Sequence, residues 1–375
     1  MKAEVLKENL KSGLSVTERV AGKNLSLPIL SNILINTEDS FLNLISTDLE
    51  VVIKLWILSK IINKGNVVVP AKLFSGFISS LPNDKVLIES KDNNLNIECG
   101  KLKTNIQGYN PEDFPIIPEF KESGFLEIDN DKLCQAISQV SDIPTNSQSR
   151  PEISGVYFYF SKNNLKMVAT DSFRLAEKTI VLEKFIDKEV SFILPQRSVR
   201  EVLNILDGKI GTVKILFSNN QVLFEFPMKE VKHPLIQIIS RLIDGDYPNY
   251  QDIIPSKFKT KVVLKRDEFL NQLKTASLFS DKNNEVKISV NKEDEEIEIL
   301  SKNPNIGENK SNISAKINGD SISVSFNYKF LIDGLSNIKS SEVEFSVSKE
   351  EGACILKPVG DFSYIYVVMP IKSIQ

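Results

Sequence analysis

Apolar and polar positions along this chain fall into three similar series. In the first, Val67-Val68-Val69 reads as a strand, Pro70 as its end, and Leu73, Phe74, Phe77, Ile78 and Leu81 as one stripe of a helix. The second runs Phe192-Ile193-Leu194, then Pro195, then Val199, Val202, Leu203, Ile205 and Leu206. The third runs Val324-Ser325-Phe326, then Asn327, then Phe330, Leu331, Leu335 and Ile338. Apolar residues at i, i+3, i+4 and i+7 mark a helix with one buried face, and a short apolar run before it fits a strand. A further strand follows each helix, at Val86 to Ser90, Val213 to Phe217 and Val343 to Val347.

Two more landmarks recur at nearly the same intervals. An early helix follows Val5, Ile128 and Leu264, with apolar pairs Leu10/Leu14, Leu133/Ile137 and Phe269/Leu273. A strand pair ends in a polar turn at Thr47-Asp48, at Thr170-Asp171 and at Asn303. A repeat of this length predicts three tandem domains, each a normal domain size. The expected boundaries give 1–122, 123–255 and 256–375, with Lys121-Glu122-Ser123-Gly124 and Pro255-Ser256-Lys257 as the joints. Each domain is predicted to be α+β, with antiparallel strands and two strand–helix modules. Tandem sheets leave open edges, and a head-to-tail contact between terminal domains would close such an array into a ring.

Composition narrows the class. Hydrophobic content of 41% and charged content of 25% are those of an ordinary globular protein. The start, Met1-Lys2-Ala3-Glu4, has no apolar core of a secretion signal, and no apolar run is long enough to span a bilayer. Cys99, Cys134 and Cys354 are odd in number and unpaired in spacing, which predicts buried thiols in a reducing cytoplasm. Net charge is −3, but the six predicted helices hold eleven bases against nine acids. The helices therefore lean basic in an acidic chain.

Candidate chemistry is sparse. The single histidine, His233, offers neither a triad nor a zinc site, and is expected at the surface. Gly208-Lys209-Ile210-Gly211 lacks phosphate-loop spacing. Asp281, Asn283 and Glu285 begin like a calcium loop, but Val286 stands where glycine is needed and Lys292 where the closing Glu belongs. The run Glu293-Asp294-Glu295-Glu296 reads as a solvated turn between strands. No cofactor and no metal are expected. A binding protein is favoured over an enzyme. The rivals are a non-ring scaffold and a nuclease built on acidic clusters.

The chain resembles the bacterial DNA polymerase III beta subunit family, the sliding clamps, over essentially its whole length. The resemblance rests on Leu27-Pro28-Ile29-Leu30-Ser31-Asn32-Ile33-Leu34 and Thr47-Asp48-Leu49-Glu50 in the first domain. In the second it rests on Ala169-Thr170-Asp171-Ser172-Phe173-Arg174-Leu175-Ala176 and Leu242-Ile243-Asp244-Gly245-Asp246-Tyr247-Pro248-Asn249-Tyr250. Near the C-terminus it rests on Tyr366-Val367-Val368-Met369-Pro370. It implies the DNA-clamp fold and a ring-shaped homodimer around duplex DNA. Such a ring needs no covalent chemistry: it tethers a polymerase and so confers processivity. The implied partners are double-stranded DNA read without sequence preference, a second copy, the polymerase III alpha subunit, the clamp loader and other proteins carrying clamp-binding motifs. No membrane partner is implied.

Carried over residue by residue, the family's partner-peptide site falls on Ile153, Thr170, Ser172, Phe173, Arg174, Leu175, Pro248, Ile253, Asn327, Phe330, Val368, Met369, Pro370 and Ile371. Phe173 stands where the family often has His, and the chain continues past Pro370 to Gln375. DNA contacts are expected at Lys23, Arg150 and Arg197 by resemblance, and at Lys72, Arg200 and Lys274 from the helix-face charge. Pro151-Glu152 replace aromatic residues that some members carry after the position of Arg150. The dimer seam is expected to set Thr104 and Ile106 of one copy against Leu278 and Phe279 of the next.

Overall fold

A computed structural model describes residues 1–22, 27–117, 120 and 124–371. The joint residues Lys121, Glu122 and Ser123, the expected DNA contact Lys23, and the tail Lys372-Ser373-Ile374-Gln375 lie outside the described residues.

The first repeat forms β1 (Lys2–Leu6), α1 (Lys7–Thr17), β2 (Asn32–Glu38), β3 (Phe41–Thr47), β4 (Val51–Leu58), β5 (Lys60–Asn63), β6 (Asn66–Pro70), α2 (Ala71–Ser80), β7 (Lys85–Lys91), β8 (Asn94–Cys99) and β9 (Leu102–Ile106). The second forms β10 (Gly124–Asp129), α3 (Asn130–Val140), β11 (Gly155–Thr170), β12 (Arg174–Pro195), α4 (Gln196–Leu206), β13 (Thr212–Phe217), β14 (Gln221–Pro227) and β15 (Pro234–Arg241). The third forms β16 (Thr260–Lys265), α5 (Arg266–Ser277), β17 (Glu285–Asn291), β18 (Glu296–Asn303), β19 (Gly307–Ser314), β20 (Lys316–Gly319), β21 (Ile322–Asn327), α6 (Tyr328–Ser336), β22 (Glu342–Val347), β23 (Cys354–Pro358) and β24 (Tyr364–Val368).

Local chemistry explains these elements. Pro70 holds φ at −58° before α2, as a proline ring does, and needs no hydrogen bond from a missing N–H. At the matching place before α6, the Asn327 side chain accepts from Lys329 N at 3.0 Å and caps the helix. In α4 the buried set Val199, Val202, Ile205 and Leu206 lies on one stripe. Pro151–Ile153 close a 3-10 turn, and β11 begins after it at Gly155. Gly155 lies so near β12 that a Cβ there would meet Leu194 O at 2.5 Å.

The polar turns of the first two repeats share the same hydrogen-bond pattern. Thr47 Oγ1 donates to Val51 O (2.9 Å), and Asp48 Oδ1 accepts from Glu50 N and Val51 N at 3.0 and 2.8 Å. Thr170 Oγ1 donates to Arg174 O (2.7 Å), and Asp171 Oδ1 accepts from Phe173 N and Arg174 N, both at 3.0 Å. Leu49 and Ser172 each take φ of 78°. A non-glycine residue tolerates that left-handed conformation only where its surroundings hold it there.

Contacts group the chain into two compact units, each built from parts of two repeats. One is Met1–Cys134 with Arg197–Leu242; the other is Gln135–Gln196 with Ile243 to the chain end. Sheet membership is the cause. In the first unit one sheet runs β5-β1-β7-β8-β9 and a second runs β10-β13-β14-β15-β4-β3-β2-β6. In the second unit one sheet runs β11-β12-β24-β23-β22-β16-β20 and another runs β19-β18-β17-β21. The middle repeat gives β13–β15 to a sheet with the first repeat, and β11–β12 to a sheet with the third.

Helices cover the sheets at close range in each unit. A Cβ on Gly13 of α1 would stand 2.6 Å from Ile57 Cδ1 and 2.9 Å from Leu55 Cδ2 of β4. A larger residue at 13 would require the Ile57 and Leu55 side chains to shift. His233, expected at the surface, is instead half-buried. Its ring stacks on Phe41 at 4.4 Å and meets Trp56 edge-on at 5.4 Å. The aromatic faces of β3 and β4 explain the difference.

Candidate functional site

The turn Thr170–Arg174 leaves β11, reverses, and enters β12. Its hydrogen bonds aim the Phe173 side chain outward, where it is 62% exposed. The neighbouring Arg174 points the other way and is held on three sides. Its Nε donates to Asp171 Oδ2 at 2.9 Å, its Nη1 donates to Asp333 of α6, and its guanidinium lies over the Phe330 ring. Burial works against this charge. Tyr366 and the carboxylates of Asp333 and Asp171 outweigh it, and the guanidinium pKa stands above its ordinary value. The ring of Phe173 stacks toward Phe330 at 6.4 Å, so the two make a shelf across the β12–α6 line.

The C-terminal strand joins the same surface. Met369 N donates to Phe173 O, and Ile371 N donates to Ser325 O, both at 2.8 Å. Tyr366 Oη donates to Phe330 O at 2.8 Å, tying α6 to β24. Met369, Pro370 and Ile371 are half-buried and therefore open on one side. The Met369 thioether packs against the core of Val168, Leu175 and Tyr250, and an unbranched, half-buried thioether can repack against varied apolar side chains.

The expected partner residues differ in where they lie. Phe173, Arg174, Asn327, Phe330, Met369, Pro370 and Ile371 lie at or beside this shelf. Ile153, Leu175 and Val368 are 3% exposed or less, with Leu175 in a core of Val168, Tyr250, Ala353, Ile355 and Val367. They belong to the core rather than to the exposed surface. Thr170 is mostly buried and builds the turn, whereas Ser172 is exposed and accepts from Arg150 Nη1 at 3.3 Å. Ile253 is 47% exposed, and Pro248 is half-buried next to Tyr247, which stacks on Tyr157 at 4.8 Å.

Sequence reasoning missed Asp171, Asp333 and Tyr366. Asp171 was within reach, since it repeats Asp48 in the matching turn. Asp333 sits one helical turn after Phe330 and so shares its face. Nothing local marks Tyr366 as a partner of Phe330.

The basic candidates differ in how far they are already engaged. Lys72 of α2 and Lys274 of α5 are exposed. Arg197 places Nη2 2.5 Å from Asp48 Oδ2. Arg150 pairs with Glu152 at 3.3 Å as well as reaching Ser172. Arg200 is exposed on α4. Within the helices as formed, nine Lys and Arg stand against six Asp and Glu. At the expected seam, Leu278 is 71% exposed and Phe279 is half-buried. Thr104 is half-buried on β9, while Ile106 is only 3% exposed and packs inward.

Comparison with known proteins covers the same ground. Family models for the DNA polymerase III beta subunit match in order: the N-terminal domain at residues 1–118, the central domain at 127–249 and the C-terminal domain at 251–372. The beta sliding clamp of Bacillus subtilis is 29% identical over the full length of both chains. That of Staphylococcus aureus is 29% identical over 96% of each chain. Among solved structures, the DNA polymerase sliding clamp of Bacillus subtilis matches with a TM-score of 0.93 at 28% identity, over 100% of this chain and 99% of that one. The DNA polymerase III beta subunit of Thermotoga maritima matches with a TM-score of 0.90 at 26% identity, over 99% of each.

Proposed function

Because this chain belongs to the DNA polymerase III beta subunit family of sliding clamps, processivity factors rather than catalysts, we propose that two copies close head to tail around duplex DNA. One observation carries this reading. Within each unit, successive repeats join edge to edge, through β15 on β4 in one and β24 on β12 in the other. By the repeat, β9 holds the place of β15 and β24, and β19 holds the place of β4 and β12. Both β9 and β19 end their sheets. An open edge of backbone donors and acceptors is a template for another strand. A second copy supplies it, and two such contacts close a ring.

The repeat also gives the register. Ser240 pairs with Val51, and Val368 pairs with Arg174. The corresponding pairs across the seam are Ile106 with Gly307, Thr104 with Asn309 and Leu102 with Ser311. Asn309 Oδ1 and Ser311 Oγ are buried without a hydrogen-bond partner, which favours completion by another chain.

DNA would be held by phosphate contacts from helix-borne bases such as Lys72, Arg200 and Lys274. Contacts of that kind are blind to sequence and weaken with salt, which suits sliding. The shelf at Phe173, Phe330 and Met369 would dock short motifs of the polymerase alpha subunit, the clamp loader and other clamp-binding proteins. This reading puts the protein in the cytoplasm with the chromosome. Among the described residues no helix is long and apolar enough to cross a membrane.

The test is topological. Protein loaded by a clamp loader onto closed circular DNA should stay bound in high salt and leave when the circle is cut. Equal retention on cut and uncut DNA would overturn the ring.

A further inference from the structure

A cleft of about 380 Å³ opens in the first unit, lined by α1, β4 and the β14–β15 hairpin. Its apolar walls come from Val16, Leu55, Ile57, Phe226, Met228 and Leu235. Lys209, Lys229 and Glu230 also line it. Neither lysine makes an ion pair with Glu230 or with any other described carboxylate. Lys209 is half-buried.

The hairpin that forms one wall is a built feature. Thirteen residues close it between Phe224 and Ile238, where nine close the matching hairpin between Leu356 and Tyr366. The shorter hairpin folds back on its neighbour strand: Thr179 N donates to Ser363 O at 2.8 Å and Lys178 Nζ to Ser363 Oγ at 2.6 Å. The longer one is held away from that course. His233 anchors it by stacking on Phe41 and abutting Trp56, and Met228 N donates to His233 O at 2.8 Å. The strand positions that the shorter hairpin covers, here Leu55 and Trp56, face the cleft instead.

We propose that this cleft is a second docking site, for an acidic linear segment of a partner protein that carries one large apolar side chain. The volume is at the low end for ligand sites, enough for side chains but not for a folded element. Leu58, which lines the cleft and is 67% exposed, extends its apolar surface outward for the flanking residues. The unpaired ammoniums of Lys209 and Lys229 take the segment's carboxylates. The site is separate from the shelf at Phe173 and does not depend on ring closure.

Trp56 is the only tryptophan in the chain and lines this cleft, so its emission reads this site alone. The probe is the peptide acetyl-Asp-Leu-Phe-Asp-Glu-amide, titrated into the full-length protein against a neutral control with Asn and Gln in place of the acids. Expected is a saturable change in Trp56 emission, at least tenfold weaker for the neutral peptide and for the double variant Lys209→Glu/Lys229→Glu. Ser12→Leu, on an exposed helix position lining the cleft, should abolish the response. Circular dichroism checks that each variant is folded; if the double variant is not, Lys229→Glu alone at its exposed site carries the comparison. The proposal is overturned by no saturable change, by an equal response to the neutral peptide, or by an undiminished response in a folded charge-reversed variant.

Discussion

The guanidinium carbon of Arg174 stands 4.7 Å from the centre of the Phe330 ring. The same group is bonded to Asp171 and Asp333, so one side chain ties the turn after β11 to α6. Arg174→Met removes the cation and leaves the buried Asp171 carboxylate uncompensated. Breaking such a pair typically costs about 3–5 kcal/mol. The urea midpoint should fall accordingly, and binding of a clamp-motif peptide should fall with it. An unchanged midpoint would refute this role for the network.

Phe173 makes a sharper separation of binding from stability. Its ring is mostly exposed, so Phe173→Asp should alter folding stability by no more than about 0.5 kcal/mol. Affinity for a fluorescent clamp-motif peptide should drop at least tenfold, about 1.4 kcal/mol, because the shelf loses half its aromatic surface. Phe173→His, the residue that the family resemblance leads one to expect there, should instead change the ranking among different motif peptides. Anisotropy titrations on the three proteins decide both points.

The proposed seam register can be read covalently. Directly opposed Cα atoms in antiparallel strands lie about 4.5–5.5 Å apart, within disulfide range. Thr104→Cys with Asn309→Cys should give a dimer on non-reducing gels after mild oxidation. Thr104→Cys with Lys310→Cys should not, since side chains one residue apart face opposite sides of the strand. The native thiols at Cys99, Cys134 and Cys354 are all buried and should not interfere. Crosslinking of the shifted pair in preference to the matched pair would reject the register. Leu278→Asp, at an exposed site, should separately raise the monomer fraction in sedimentation runs.

Alkaline pH should weaken the fold. Burial pushes the Cys354 thiol up to about 12, and burial with nearby Asp207, Asp131 and Asp129 does the same for Cys134. A raised pKa means that the folded state holds the proton more tightly than the unfolded chain does. Their contribution is therefore complete below the unfolded thiol pKa of about 8.5 and is lost as pH rises toward 12. Buried Tyr366 and Tyr364 shift in the same direction. Urea midpoints measured from pH 8 to 11 should decline, and Cys354→Ala should flatten the slope. A midpoint constant across that range would contradict the burial argument.

Much of this architecture was legible because its signals are local. The six helices and the three polar turns each follow from the spacing of apolar and turn-forming residues within a short window. The repeat then multiplied every local signal by three. His233 was misjudged because the rings that bury it, on Phe41 and Trp56, are distant in the chain.

Sequence alone determined the threefold repeat, the strand–helix modules and, through its family motifs, the identity of the turn that carries Phe173. Tertiary structure decided which junction became a docking surface. In the second unit, α6 and β24 bring Phe330 and Met369 beside that turn. At the matching places in the first unit, Ser198 stands for Phe330 and bonds at 2.7 Å to Ser240, the counterpart of Val368, while Arg241 stands for Met369 and Val51 for Arg174. The same backbone thus yields an aromatic shelf once and a closed polar contact once. Periodicity is a property of neighbours along the chain, whereas the partners of Arg174 at Asp333 and of Phe173 at Met369 are set by strand pairing between segments far apart in sequence.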